Sequence, residues 1–371
     1  MVGEKVKIND AFSIRKGKKV EEKIAGKFNY ITIENLHSKH DSKFTDDSGV
    51  FVDESDTLIA WDGANAGLVG VGFKGVIGST LAQIKMKSTF QHKLDPRYFY
   101  RYLYSNFELI KSKRTGATIP HVNGAELKAM QIPLPPLATQ KAIAEKLDKA
   151  DALRKKDQQL LKLYDELAQS VFIEMFGDPV RNERGWEEMN LSLLGTLERG
   201  KSKHRPRNAP ELLGGKYPLI QTGEVANSGG YITSYSQTYS EIGLKQSRLW
   251  NAGALCITIA ANIAKTGILK IDACFPDSIV GFIPNEKSNV EFIQFWFSFF
   301  QKILEDQAPE SAQKNINLEI LRNLTVINPP LPLQQKFAII IENIEAQKVL
   351  LSKQAAESEN LFQSLLQESF S

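Results

Sequence analysis

Two stretches of this chain are copies of one another. Residues 135–177 (PPLATQKAIAEKLDKADALRKKDQQLLKLYDELAQSVFIEMFG) and 329–371 (PPLPLQQKFAIIIENIEAQKVLLSKQAAESENLFQSLLQESFS) align without a gap, 194 positions apart (135 to 329). Pro135, Pro136, Leu137, Gln140, Leu167, Gln169, Ser170 and Phe176 recur as Pro329, Pro330, Leu331, Gln334, Leu361, Gln363, Ser364 and Phe370. Apolar positions 143, 147, 150, 161, 168 and 171 recur as 337, 341, 344, 355, 362 and 365. Intervals of three, four and seven put such positions on one side of a helix. A proline pair opens each copy and Gly177 closes the first, which suits helix boundaries. The spacing predicts helices from about 139 to 176 and 333 to 370, each roughly 55 Å long at ~1.5 Å per residue. A single apolar stripe needs a cover, and each copy offers the other a matching one.

The repeat reaches further back. The same offset pairs His121-Val122-Asn123 with Asn315-Ile316-Asn317, Leu127 with Leu321, and RYFYRYLYS (97–105) with EFIQFWFSF (291–299). Towards each start the offset drifts, as loops of unequal length require. RKGKK (15–19) corresponds to ERGKS (198–202), and GKFNYI (26–31) to GKYPLI (215–220). The order is globule, helix, globule, helix: one unit of about 180 residues used twice. Its boundaries fall at 1–135, 136–177, 178–330 and 331–371.

With 371 residues, 42% hydrophobic and 24% charged, the chain suits two or three globular domains. Two cysteines cannot build a disulfide framework. MVGEKVKIND has no apolar stretch after its charges, so no signal peptide is expected. FIQFWFSFF (292–300) is too short to span a bilayer. The expected location is the cytoplasm, without membrane contact. Net charge is +3, but residues 1–135 carry 20 Lys and Arg against 15 Asp and Glu. Residues 136–177 and 178–330 balance, and 331–371 is acidic, so positive charge is local.

Several short motifs suggest catalysis and fail on context. Asn328-Pro329-Pro330 matches part of the loop with which amino-group methyltransferases hold an extruded base. Leu331 follows where an aromatic face is needed, and the first copy reads Leu134-Pro135-Pro136. GTLERGKS (195–202) fits the phosphate-loop pattern letter for letter. A helix must follow such a loop, yet Pro206 and Pro210 stand in what would be its first turns. His37, His40 and Asp41 lack partner ligands for a metal. WDGANAG (61–67) reads as hairpin turns and Cys256 as a buried strand residue. Paired carboxylates, a nucleophile elbow and a specific metal-ligand set are not evident. The chain is expected to be no enzyme and to bind no cofactor itself.

Basic clusters are the positive signal. Arg199, Lys201, Lys203, Arg205 and Arg207 alternate through RGKSKHRPR, and Arg15, Lys16, Lys18 and Lys19 stand at the corresponding place in the first copy. Lys111, Lys113, Arg114 and His121 precede the first long helix. The second copy has instead the amide-rich QAPESAQKNIN, with Gln313, Lys314 and Asn315. Cations on loops suit phosphate contacts, Arg pairs with guanine, and Gln or Asn with adenine. For one cluster a solvated charged loop is an equal reading; recurrence in both copies favours DNA. Similar frames carrying dissimilar loops would read different sequences.

The duplicated globule-plus-helix resembles the specificity subunit of type I restriction-modification systems, over essentially the whole chain. The carriers are the Pro-Pro-Leu helix starts with Gln140 and Gln334, MFGDPVRNERGW (175–186), and the Gly-Lys pairs at 17–18 and 200–201. The resemblance implies an α+β fold: two α/β target-recognition domains joined by two long antiparallel coiled-coil-like helices. It implies that each domain reads half of a split double-stranded DNA target while the helices act as a ruler. It further implies docking of two modification (methyltransferase) subunits, with restriction subunits able to join. The methyl-donor and ATP sites would then sit on those partners.

Two other readings compete. A helical adaptor without DNA binding would keep the helices and leave the cations to solvent. A nucleotide-binding protein would use Gly195–Ser202.

Overall fold

Both repeats are single unbroken helices, Leu137–Phe176 and Leu331–Phe370. The proline carbonyls open them. Pro136 O accepts from the amides of Thr139 and Gln140, and Pro330 O from those of Leu333 and Gln334. Gly177, at φ +78°, ends the first helix, its amide bonded to Ile173 O at 2.8 Å. The Trp186 indole also donates to Phe176 O at 2.8 Å, so the end of the helix is satisfied from outside. All twelve positions of the apolar stripe are buried or half-buried.

The computed structural model describes residues 4–37, 43–260, 264–299 and 316–370. They fall into two units, Met1–Gln159 with Ser352–Ser371, and Leu160–Leu351. Each unit is a globule with half of each long helix. In the first unit Arg154 meets Glu359 and Asp157 meets Gln354, both at 2.9 Å, so the helices run antiparallel. In the second, Asp165 pairs with Lys348 at 2.7 Å and Phe176 lies 5.3 Å from Phe337. The direction there is again antiparallel.

Each globule carries the same pair of sheets. In the first unit one sheet has the order Phe12–Lys16, Leu81–Met86, Thr57–Ala60, Val69–Gly70. In the second its counterpart is Gly195–Arg199, Ile279–Pro284, Leu255–Thr258, Thr266–Leu269, with Tyr231–Ile232 added at the edge. The other sheet runs Lys43–Thr45, Phe28–Ile31, Gly75–Ile77, Val50–Val52 in the first unit. It is matched by Gln237–Tyr239, Leu213–Leu219, Ala273–Cys274, Leu249–Trp250. Even the parallel pairing within this sheet recurs, Tyr30 beside Val76 and Leu219 beside Cys274. A short two-stranded sheet closes each globule, Lys5–Lys7 with Gln131–Pro133 and Glu188–Asn190 with Thr325–Ile327.

The 194-residue repeat is fixed by side chains that satisfy backbone groups. Asn123 caps helix Gly124–Ala129, and Asn317 caps Leu318–Asn323. Asp95 caps Pro96–Ser105, and Asn289 caps Val290–Trp296. The amides of Gln140 and Gln334 are fully buried. Gln140 accepts from Asp95 N at 2.9 Å and donates to Lys93 O at 2.9 Å and Pro135 O at 2.8 Å. Gln334 accepts from Asn289 N at 2.9 Å and donates to Lys287 O at 3.2 Å and Pro329 O at 2.7 Å. One glutamine thus ties the start of each long helix to the cap of the aromatic helix, using donor and acceptor ends together. In the first unit Tyr98 and Tyr102 extend the tie, donating to Pro133 O and Gln131 O; burial pushes both phenols up to about 12.

Candidate nucleic-acid interface

The two main basic clusters leave their globules at equivalent glycines. A Cβ on Gly17 would lie 2.1 Å from Gly78 O, and one on Gly200 would lie 2.3 Å from Pro276 O. Only a residue without a side chain lets the backbone cross the neighbouring segment so closely. The Gly17 amide bonds to Leu81 O at 2.9 Å and the Gly200 amide to Ile279 O at 2.8 Å. The cations on either side are therefore aimed by a fixed backbone. Arg15, Lys16 and Arg199 lie in extended backbone, at the ends of strands Phe12–Lys16 and Gly195–Arg199. The regular pairing with Leu81–Met86 and Ile279–Pro284 extends to these residues.

In the first unit the separate clusters converge on residues 61–67. Lys16 Nζ meets Asp62 at 2.6 Å, and Asp62 is bridged to His121. Arg114 donates to Ala64 O and Lys111 O, both at 3.0 Å, and Gly63 N donates to Pro120 O at 2.8 Å. Lys113 pairs with Glu126, and Lys111 with Glu108 while lying 5.6 Å over the Phe107 ring. Arg15, Lys18 and Lys19 are exposed and make no ion pair with a described residue. WDGANAG is indeed a connection between antiparallel strands, with Gly63 and Gly67 at φ +93° and +100°.

In the second unit three arginines gather on Asp277. Arg199 donates twice to its carbonyl, at 2.9 and 2.7 Å, while Arg207 and Arg205 face its carboxylate at 2.5 and 3.7 Å. Three positive charges around one negative leave a local surplus, and the carbonyl of Asp277 holds Arg199 while its carboxylate holds Arg207 and faces Arg205. Lys201 and Lys203 are exposed and without an ion pair among the described residues. The Lys203 amide is held by Gln246 at 2.7 Å. Gln313, Lys314 and Asn315 lie outside the described residues, as do His40 and Asp41.

The two catalytic look-alikes have structural roles. Residues Gly195–Arg199 of GTLERGKS form a strand, and Gly200 is the crossing glycine. Asn328 bonds Glu187 O through its amide at 2.7 Å and receives the Gln334 amide at 3.1 Å. Cys256 is fully buried, and burial pushes its thiol well above the usual range. Among the described residues no group of three His, Cys, Asp or Glu could hold a metal. Among them, too, no helix is long and apolar enough to cross a membrane.

Reading the sequence missed the carboxylates that organise these cations. Asp62 and Asp277 are 46 and 70 positions from Lys16 and Arg207, so no local pattern marks them.

Comparison with known proteins gives the family. The model of the type I restriction modification DNA specificity domain matches residues 3–163 and again 183–358. This chain belongs to that family, and carries its domain twice. Among its relatives is the type I restriction enzyme MjaVIII specificity subunit of Methanocaldococcus jannaschii. It is 27% identical over 372 residues, covering 92% of this chain and 86% of that one. The EcoBI specificity subunit of Escherichia coli is 23% identical over 356 residues, covering 87% and 74%. The crystal structure of a type I system S subunit from M. genitalium superimposes with a TM-score of 0.67 at 18% identity, over 99% and 96% of the chains. A chain solved in work on assembly of the type I system gives 0.55 at 17% identity, over 99% and 97%. These likenesses support the fold: α+β, duplicated, with two long antiparallel helices.

Proposed function

We propose that this chain is the non-catalytic DNA-recognition subunit of a type I restriction-modification assembly. Segments 1–135 and 178–330 each read one half of a bipartite double-stranded target. The helical segments 136–177 and 331–371 set the separation of the halves and dock two modification subunits, which restriction subunits can join. S-adenosylmethionine and ATP then belong to the partners, and the whole works in the cytoplasm.

The observation that carries this reading is the recurrence of one cation-bearing edge, built on Gly17 and Gly200, in two family domains of a single chain. Phosphate contacts from such edges supply affinity and position, and the residues between them supply sequence preference. A strut explains why the spacing can be fixed. Two readers roughly 34 Å apart, one turn of DNA, face the same side of the duplex. A heptad added to or removed from both helices shifts the span by roughly 10 Å, and should change the gap between half-sites.

The test uses the chain assembled with its modification partner. Changing Lys16, Lys18, Lys113 and Arg114 together to Gln should weaken binding to every sequence. The slope of log K against log salt should flatten by about 0.9 for each phosphate that is no longer neutralised. Unchanged affinity and slope would reject the interface. Methyl transfer by the isolated chain with S-adenosylmethionine and DNA would reject the non-catalytic role.

A further inference from the structure

One apolar side chain stands where the cations gather. Thr115 and His121 bond to each other in both directions, at 3.0 and 2.8 Å, so residues 116–120 project as a closed loop. Gly116 sits at φ +92°, and a Cβ there would lie 2.3 Å from Ile119 O. Pro120 O takes the Gly63 amide at 2.8 Å, and His121 is bridged to Asp62. Anchored in this way, the loop holds Ile119 at 63% exposure, while Val122, three residues on, is 2% exposed. Lys113 and Arg114 lead into the loop, and Lys16 reaches it through Asp62.

Isolated apolar residues on a surface are ordinary, and Ile24, at 97%, is more exposed still. Their surroundings differ. Ile24 follows Lys23, which is paired with Asp46, and its turn is held by Asp46 and Asp47 through the amides of Lys27 and Glu21. A phosphate backbone would be repelled there. Ile119 lies in the cationic patch, where a duplex would be drawn in. The apolar group that base edges offer in the major groove is the thymine 5-methyl. The position 194 further on is Gln313, outside the described residues, so the copies place an aliphatic and an amide side chain at one point of the repeat.

We propose that Ile119 contacts a thymine methyl group in the half-site read by the first unit. The proposal rests on the DNA-recognition reading above and names a base contact within it. The test takes the chain assembled with its modification partner and a target located by mapping methylated adenines. Each thymine of the duplex is replaced in turn by uracil, which removes only the methyl. In one half-site one replacement should weaken binding by the parent about threefold to fivefold, the scale of burying one methyl group. Ile119→Ala should bind the thymine target as weakly as the parent binds the uracil one, and should be indifferent to that replacement. Ile119→Val, keeping a branched aliphatic, should remain sensitive. Parent-like binding by Ile119→Ala, retained uracil sensitivity in it, or a half-site with no methyl-sensitive thymine would overturn the contact while leaving DNA recognition intact. A parent assembly that binds all sequences equally would overturn the recognition reading itself.

Discussion

At one point of the repeat the two units hold opposite chemistry. Arg101 of the first unit and Phe295 of the second, 194 positions apart, each fill the space between the aromatic helix and the long helices. Arg101 donates to Asp148 at 2.7 Å and Asp151 at 3.1 Å, and Asp151 also pairs with Arg154. Arg154 completes the cluster with Glu359 and lies 4.3 Å over the Phe362 ring. Phe295 instead lies 5.5 Å from Phe172 and 5.3 Å from Phe337 in a cluster with Phe299. Around these differences the backbone clamps of Gln140 and Gln334, the caps of Asn123 and Asn317, and the crossings at Gly17 and Gly200 stay the same. The frame is held by groups that satisfy or approach backbone. Side chains that satisfy one another have been free to diverge.

The comparison can be broken most forcefully at the shared clamps. Gln140→Leu leaves one amide and two carbonyls without their partner, and at about 1–3 kcal/mol each for buried groups the loss should be about 4 kcal/mol. Gln334→Leu should cost the second unit at least as much, because it also severs the bond to Asn328. Denaturant unfolding, followed separately in each unit by hydrogen exchange, reads both. A loss under about 1 kcal/mol would show that the clamp is dispensable.

The divergent point comes next. Arg101→Phe, which installs the second unit's residue in the first, removes a cation shared by Asp148 and Asp151, leaving them Arg97 and the pair Arg154 and Lys155 respectively, and should cost about 2 kcal/mol. Stability equal to the parent would mean that the ionic filling is interchangeable with the aromatic one. That outcome would erase the distinction between the two units at this point.

Acid should separate the units more gently, and base should weaken both. Burial pushes Asp151 up, but hydrogen bonds from Lys155 and Arg154 and the charge of Arg101 hold its carboxyl below the usual range. Glu359 is lowered as well, chiefly by its bond from Gln363 and then by Arg154. A depressed carboxyl stabilises the fold above its unfolded value, near 4, and that contribution is lost as pH falls through the folded value. In the second unit burial lowers Lys348, while Asp165 and Glu345 outweigh it and raise the ammonium above its usual value. A raised lysine contributes below its unfolded value, about 10.4, and is lost as pH rises through the folded one. Below pH ~4 the first unit's helix segments should therefore lose protection first, whereas above pH ~10 both units weaken, the first through the raised phenols of Tyr98 and Tyr102 and the second through Lys348. Exchange rates corrected for intrinsic pH dependence would show it, and parallel loss in both units as pH falls would contradict it.

How much of this was legible beforehand follows from the same division. The long helices, their stripe, the aromatic helices and the doubled frame could be read because they rest on periodicity and on residues recurring at a constant distance. Gln140, Asn123 and Gly17 were visible as repeats, though not as a clamp, a cap and a crossing. Neither the partnering of the sheets nor the meeting of Lys16, Asp62, Arg114 and His121 could be read. Those contacts join segments tens of residues apart and leave no local trace. The offset drift conceals the rest: strand Phe12–Lys16 recurs 183 positions on, yet its partner Leu81–Met86 recurs 198 on (12 to 195, 81 to 279).

The central claim is that two equivalent readers act independently on two halves of one site. Replacing residues 1–135 by the corresponding segment of a relative, and mapping methylated adenines in cells that also make the modification partner, tests it most directly. The account predicts that one half of the recognised sequence changes while the other half and the gap persist. A change in both halves, or in neither, would contradict it.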